Sequence, residues 1–515
     1  MRIGSVFAVV GLLLRPFAAV LVVPAAIDLA DGRTIDAITF LATAAATFAV
    51  GHVLARRLPD PRDVGRVEAL AVVSLCWFAV AALGAVPYMG QGIGPVDALF
   101  ESMSGFTTTG STIFREVHFV ELSRGLMFWR SFEQWLGGMG IIAVFVAVFP
   151  ALAVAGRQMF FAEAPGPEDE ALTPRIRHTA GALFKLYAGM TAIEITLLTT
   201  VGGMSLFDAT CHSFSTLAGG GFSPNPRSLA GYGPGAQWIV TAFMFVSATS
   251  FALLYRALRR PSLLLHDTEF RTYVWIALLT GVSVSALIAV PRGHDLEASL
   301  RHGFFQTMTM FTATGFASED FALWPAAALM LIGATMFIGG CAGSAAGGPK
   351  VIRMVVLAKF LGREILCALH PRAVRAVRVG GRALPSETLR GVVGFLIAYF
   401  ATFAVGAVAV AVIENDLTVG ITGSITTLGN IGPGFGLRIG PMATFADLST
   451  LSKLIFTAEM WVGRLEVMTV LVLFHPDALR ALFGRRAVRR QGAPGAAAPP
   501  PSPAPPPTPE ESSST

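Results

Sequence analysis

Four short stretches carry the same spacing of hydroxyl side chains and glycine: SMSGFTTTGS, SFSTLAGGGFS, TMTMFTATGFAS and SITTLGNIGPG. Aligned on Gly110, Gly221, Gly315 and Gly432, each has a hydroxyl eight residues earlier (Ser102, Ser213, Thr307, Ser424) and another six earlier (Ser104, Ser215, Thr309, Thr426). Four residues before each glycine stands a large apolar residue, Phe106, Leu217, Phe311 or Leu428, and no gap is needed. The tetrapeptides ending at the glycines are Thr107, Thr108, Thr109, Gly110; Ala218, Gly219, Gly220, Gly221; Thr312, Ala313, Thr314, Gly315; and Gly429, Asn430, Ile431, Gly432. Peptide carbonyls in such extended segments can replace the hydration shell of a monovalent cation. Glycine suits the last position because a carbonyl turned toward a shared axis needs backbone geometry that a side chain obstructs. The expected ligands of such a cation are therefore the backbone carbonyls of Thr108, Thr109, Gly219, Gly220, Ala313, Thr314, Asn430 and Ile431. Close packing of helices through small residues is the alternative, and it accounts for one copy far better than for four at matched positions.

Such segments need scaffolding, and the chain supplies it as apolar helix. It is 53% hydrophobic and only 14% charged, against about 25% charged in a typical soluble domain. Residues 36–55, 68–88, 179–201, 237–255, 272–290 and 391–413 are each long and apolar enough to cross a bilayer core. The N-terminal run is interrupted by Arg15, so it reads as a retained spanning helix rather than a signal peptide. The key glycines are 111, 94 and 117 residues apart, room each time for an outgoing helix, an incoming helix and loops. The fold class that follows is all-α integral membrane protein. It has four pseudo-symmetric helix–pore loop–helix units around a central pore, and an extra N-terminal helix pair. Non-helical backbone at membrane depth is tolerated only where protein shields it or it lines water. Short pore helices also aim their partially negative C-terminal ends at the centre, which favours a cation.

Arginine gives the sidedness. Basic residues gather in 56–66, 256–271, 359–390 and after the last helix (Arg480, Arg485, Arg486, Arg489, Arg490), while the alternate connections hold one or two each. Lys-rich and Arg-rich loops stay in the cytoplasm, so the chain is multi-pass with both termini cytoplasmic and the four segments near the outer face. The proline-rich stretch 491–515 reads as a disordered tail. The four cysteines are scattered and no HExxH-type histidine pair is present, so neither a disulfide framework nor a zinc site is expected. No phosphate-binding glycine loop occurs, no organic cofactor is expected on this chain, and the net charge of +5 does not point to nucleic acid. A solute symporter built on inverted repeats fits poorly, because the four units share one orientation and acidic residues at mid-membrane depth are scarce. An intramembrane hydrolase lacks a catalytic pair, so the chain is read as a transporter and not an enzyme.

Two further features could regulate flow. Segment 325–361 has the length of one spanning helix, yet GGCAGSAAGG at 339–348 breaks it, since each glycine costs about 1 kcal/mol of helix against alanine. A loop of Gly339, Gly340, Cys341, Ala342, Gly343, Ser344, Gly347 and Gly348 lies below the third segment and could block the path; a packing kink is the alternative. Arg464 lies mid-helix in the last span and must face water or a partner. Glu466 is on the wrong face, while Glu459 or another helix could serve. Arg130 and Glu133 are three apart and expected to pair. Glu101 and His212, nine residues before their glycines, shape the outer vestibule or act as solvated caps, and Lys350 and Arg353 snorkel to the interface.

The motifs SGFTTTGST, WRSFEQWLGGMGIIAV (129–144), GGCAGSAAGGPKVIR (339–353), GNIGPGFG (429–436) and WVGRLEV (461–467) resemble the Trk/Ktr/HKT superfamily of potassium transporters, nearest the TrkH-type membrane subunit. The resemblance runs from about residue 5 to 480. It implies an N-terminal helix pair (1–57), four pore units (58–152, 153–262, 263–365 and 366–484) and a tail (485–515). It also implies a gating loop at 339–348, with Arg464 pointing into the permeation path beside it as a barrier or as a holder of loop carbonyls. A homodimer in the bacterial inner membrane and a TrkA-like cytoplasmic nucleotide-binding partner follow from the same source. Serine at the first glycine accompanies sodium permeation in plant-type relatives, so Gly110 implies potassium, with Rb⁺ as its analogue. The second and fourth segments, AGGG and GNIG, lack the threonines of the first, so four-fold symmetry is broken.

Overall fold

A computed structural model describes residues 2–56, 66–147, 172–293, 295–373 and 375–483. The proline-rich tail, most of the arginine-rich stretch 56–66, and the expected unit boundaries at 57, 152 and 484 lie outside them. The regular elements of the described residues are helices, apart from one hairpin of two-residue strands, β1 (Arg378–Val379) with β2 (Arg382–Ala383). Three helices lead, α1 (Arg2–Val20), α2 (Val22–Ala30) and α3 (Thr34–Arg56). The first unit follows as α4 (Arg66–Gly84), α5 (Pro95–Phe106) and α6 (Arg124–Ala147). The second is α7 (Leu172–Thr200), α8 (Leu206–Ala218), α9 (Pro234–Ser247) and α10 (Phe251–Ala257). The third is α11 (Thr268–Arg292), α12 (Leu296–Phe311), α13 (Ala326–Met336) and α14 (Val351–Leu369). The fourth is α15 (Ser386–Glu414), α16 (Leu417–Leu428), α17 (Thr450–Arg464) and α18 (Val467–Phe474). The boundary expected at 365 falls inside α14, and the one at 262 opens the helical turn Ser262–His266.

Among the described residues, six helical stretches are long and apolar enough to span a membrane: Ile3–Ala30, Thr34–Arg56, Val67–Gly90, Ala180–Thr200, Thr268–Pro291 and Ser386–Glu414. The pair α9–α10 adds a seventh, bent by 99°. On α11, Trp275, Leu279, Val282 and Val290 remain exposed, as a lipid-facing stripe requires. The N-terminal pair crosses closely, because a Cβ on Gly11 would meet Gly51 O at 2.8 Å. Phe17 packs on Phe106 and Trp129, and Asp28 accepts Ser123 Oγ at 3.0 Å and Gly125 N at 2.8 Å, so the pair is fixed to the first unit.

Neighbouring units share their cores in a closed cycle. Tyr187, Leu217 and Phe251 of the second unit pack on Trp135 of the first. Val240, Met244, Tyr273, Phe305 and Phe311 join the second and third. Trp324, Ile332, Phe395, Ile425 and Leu428 join the third and fourth. Phe100, Phe106, Phe456 and Met460 join the fourth back to the first. Every short helix before a key glycine is therefore wedged between two units.

Three outgoing helices are broken, where the sequence points to one. The third breaks over 337–350, slightly beyond 339–348. The second turns at 248–250. The fourth ends at Arg464, and Glu466, with φ of 60°, restarts it. Arg464 is thus the last residue of α17 rather than a mid-helix residue. Nothing in the composition around Leu465 marks that break, because it is set by what the arginine reaches.

Candidate functional site

The four short helices α5, α8, α12 and α16 end in one repeated main-chain arrangement. The residue two before each key glycine is left-handed: Thr108 (φ 52°), Gly219 (67°), Ala313 (56°) and Asn430 (52°). The glycines are left-handed too, at 82°, 74°, 88° and 119° for Gly110, Gly221, Gly315 and Gly432. Between them, Thr109 N donates to Ser104 O at 2.8 Å, Gly220 N to Ser215 O at 2.8 Å, Thr314 N to Thr309 O at 2.9 Å and Ile431 N to Thr426 O at 2.8 Å. This is the closing bond of a Schellman-type helix end. The hydroxyls of Ser104, Ser215 and Thr309 find no hydrogen-bond partner among the described residues, so at that position it is the carbonyl that the structure uses.

The glycines lock the segments into a ring. A Cβ on Gly110 would overlap Gly220 O, one on Gly221 would overlap Thr314 O, and one on Gly315 would overlap Ile431 O. A Cβ on Gly432 would sit 3.1 Å from Thr109 O, which closes the circle. Positive φ and a neighbouring carbonyl thus both demand glycine at the same place.

The expected carbonyl ligands can now be placed. No described hydrogen bond reaches the carbonyl of Thr108, Thr109, Gly219, Ala313, Thr314, Asn430 or Ile431, although all seven residues are buried. Buried carbonyls without donors are costly, and a ring of them offers a cation the oxygens that water would have supplied. Gly220 O differs, since it accepts Gln134 Nε2 at 2.8 Å. Gln134 Oε1 also takes Phe222 N at 3.1 Å. The second segment, which has no hydroxyls, is braced by a side chain of the first unit. The first and third segments brace themselves, through Thr107–Thr109 (2.8 Å) and Thr312–Thr314 (2.7 Å) hydroxyl pairs. In the fourth, Asn430 Nδ2 donates to Thr109 Oγ1 at 2.9 Å and to Met460 O at 3.0 Å.

Several expected side-chain roles change. Arg130 pairs with Glu101, at 2.8 Å, and not with Glu133. It also donates to Ser223 O and Thr112 Oγ1 and lies over the rings of Phe114 and Phe222. A planar guanidinium with five donors is satisfied there, whereas Glu133 alone would leave most of them unmade. Glu133 instead accepts Tyr88 Oη at 2.7 Å and Ser102 Oγ at 2.8 Å behind α5. Glu459 does the same for α16, taking Ser424 Oγ at 2.8 Å and Thr427 Oγ1 at 2.7 Å, and so is no partner of Arg464. Glu194 is buried near Thr216 of α8, and neither of its oxygens has a hydrogen-bond partner among the described residues. The buried acids Glu133, Glu194 and Glu459 thus lie behind three of the four short helices. Glu101 and His212 are fully buried, not solvated. Each holds the chain just past its segment, through Ile113 N (2.9 Å) and Ser223 Oγ (3.0 Å). The recurring spacings Glu133–Gly137 and Glu459–Gly463 are a signal that could have found these acids in the sequence.

Beneath the ring lies the small-residue segment. Gly339, Gly340, Cys341, Ala342, Gly343, Ser344, Gly347 and Gly348 all fall in the non-helical stretch between α13 and α14. Gly219 has Ala345 O 3.6 Å from its Cβ position, and a Cβ on Gly347 would overlap Gly429 O. The loop thus touches the second and fourth segments. Its main chain bonds the break in the second unit: Cys341 N to Ala248 O (2.8 Å), Ala345 N to Ser247 O (3.2 Å) and Phe251 N to Gly343 O (3.0 Å). Arg464, buried, donates to Ala345 O at 3.1 Å and to Gly137 O at 3.3 Å, with no carboxylate in ion-pair range among the described residues. Lys350 is buried and donates to Ala346 O. Arg353 pairs with Glu466 at 2.7 Å and covers Phe395. Neither snorkels, because loop carbonyls and a neighbouring acid lie within reach.

Residues 38–479 match the TrkH family model, described as "Cation transport protein". Relatives include the Trk system potassium uptake protein TrkH of Salmonella typhimurium, 36% identical over 495 residues, covering 93% of this chain and 100% of the relative. TrkH of Escherichia coli K12 is 35% identical over 498 residues, with the same coverage. The crystal structure of the potassium transporter TrkH from Vibrio parahaemolyticus superposes with a TM-score of 0.85 at 32% identity, covering 93% of this chain and 100% of that one.

Proposed function

The chain belongs to the TrkH family of cation transport proteins, and from that premise we propose that it takes up potassium through the ring of carbonyl segments. It is a multi-pass membrane protein and a transporter, not an enzyme. The observation that carries the potassium reading is the set of seven buried, donor-free carbonyls gathered by four left-handed glycines. K⁺ is the cargo, and the chain adds no organic cofactor. A membrane potential of 100 mV, negative inside, drives each inward charge by about 2.3 kcal/mol. The loop 339–348 acts as the gate beneath the ring, and Arg464 holds it by two carbonyls from different units. The arginine-rich connections face the cytoplasm, where a TrkA-like nucleotide-binding protein docks, and the working form is a homodimer in the bacterial inner membrane with both termini inside. The relatives named as potassium uptake proteins support the substrate.

The test is ⁸⁶Rb⁺ uptake into proteoliposomes holding the purified chain, with K⁺ or Na⁺ as competitor. Uptake suppressed by K⁺ well before Na⁺ is the expected result. Equal competition by the two ions would end the potassium reading.

A further inference from the structure

The loop beneath the ring is tied down from one direction more than Arg464 explains. Glu269 is the second residue of α11, in the connection from the second unit to the third. Its Oε1 accepts Ala342 N at 2.7 Å and Ile352 N at 3.1 Å. Those amides are ten residues apart in sequence and lie on opposite limbs of the loop. A single carboxylate oxygen therefore pins both limbs, one in the loop and one at the first turn of α14. The amide at the start of α14 is a natural partner for an acid, because helix N-termini carry partial positive charge.

The same connection supplies the loop's other anchors. Ser247 O, Ala248 O and Phe251 N lie at its start and Glu269 at its end. Four hydrogen bonds to the loop's main chain and one to the first turn of α14 thus come from one run of chain, 247–269. Between the anchors lie α10 and the turn Ser262–His266, with Arg256, Arg259 and Arg260. Arg464 grips the loop from the other side and spans to the first unit.

We propose that Glu269 is a positioning residue that latches the loop shut, and that the run 247–269 is the lever through which a pull on the arginine-bearing turn releases it. This rests on the reading of 339–348 as a gate. Moving the loop off the ring strips both amides from Glu269 at once. A variant that cannot hold them starts with its equilibrium shifted toward open. The filter is untouched, so selectivity between ions stays as it was.

The test uses the full chain in proteoliposomes without any added partner protein. Glu269→Ala, Glu269→Gln and a deletion of 341–346 are compared with the parent for basal ⁸⁶Rb⁺ flux and for K⁺ against Na⁺ competition. In a second readout Cys341, buried in the loop, is labelled by a small cationic thiol reagent, with Cys76, Cys211 and Cys367 replaced by alanine. The expected result is a rise of about tenfold in flux and in Cys341 labelling for Glu269→Ala, with unchanged ion preference. Glu269→Gln, which keeps an acceptor oxygen but loses the charge, gives a smaller rise in both and serves if the alanine variant does not fold. If the deletion raises flux while both Glu269 variants match the parent in flux and labelling, the latch is wrong and the gate stands. If the deletion also leaves flux unchanged, the gate reading fails and the latch falls with it.

Discussion

The ring and the loop both place non-helical backbone deep in the protein, but they satisfy it by different means. In the ring, main chain does almost all of the work. The same left-handed positions and the same closing amide bond occur four times, and each glycine abuts a carbonyl of the next segment. The loop occurs once; three main-chain bonds join it to the break in the second unit, and the side chains of Arg464, Lys350 and Glu269 hold it elsewhere. A structure fixed by main chain and repeated around an axis resists change at every copy. A structure that occurs once and leans on a few side chains as well as main chain loses much of its hold when those side chains let go. That difference suits the proposed roles, a rigid selecting ring above a movable loop.

The largest expected effect follows from adding one Cβ to the ring. Gly110→Ser must adopt a φ of 82° and displace Gly220 O, a strain of about 1–3 kcal/mol. The preference for K⁺ over Na⁺ should fall by about tenfold or more in ⁸⁶Rb⁺ competition, with Na⁺ admitted. An unchanged preference would break the claim that the glycines set the ring.

A smaller effect is expected from the loop. Arg464→Gln removes the charge that Ala345 O and Gly137 O share. Basal flux should rise several-fold, by roughly the factor that one net hydrogen bond supplies, with ion preference intact. A loss of preference without a rise in flux would mean that Arg464 serves the ring instead.

The smallest effect belongs to a surface pair that serves neither region. Arg480 and Asp477, 3.3 Å apart, are 81% and 75% exposed. Arg480→Ala should change stability by less than about 0.5 kcal/mol, read as an unshifted Tm in detergent, and should leave transport alone. A marked change in flux would show that the helical turn Pro476–Phe483 is coupled to the gate.

The ring was legible in the sequence because its requirements are local. A left-handed glycine, a helix end five or six residues long and an apolar wedge leave fixed spacings, and Gly110, Gly221, Gly315 and Gly432 could be aligned without gaps. The long apolar helices were legible for the same reason, since hydropathy belongs to the segment itself. The break over 339–348 could be read because glycine weakens a helix wherever it sits.

Partnership between distant side chains left no such trace. Spacing on one helix favours Arg130 with Glu133, yet Arg130 meets Glu101 and two loops of different units, because a buried guanidinium goes where most of its donors can be met. The ends of α9 and α17 are likewise set by the loop that packs against them. Hydropathy and glycine are properties of a stretch of chain, so the sequence determined the membrane helices, the four matched turns and the weak point between α13 and α14. Which oxygen meets which donor depends on the closed packing of four units, so the tertiary structure alone decided the bracing by Gln134 and the anchoring by Glu269.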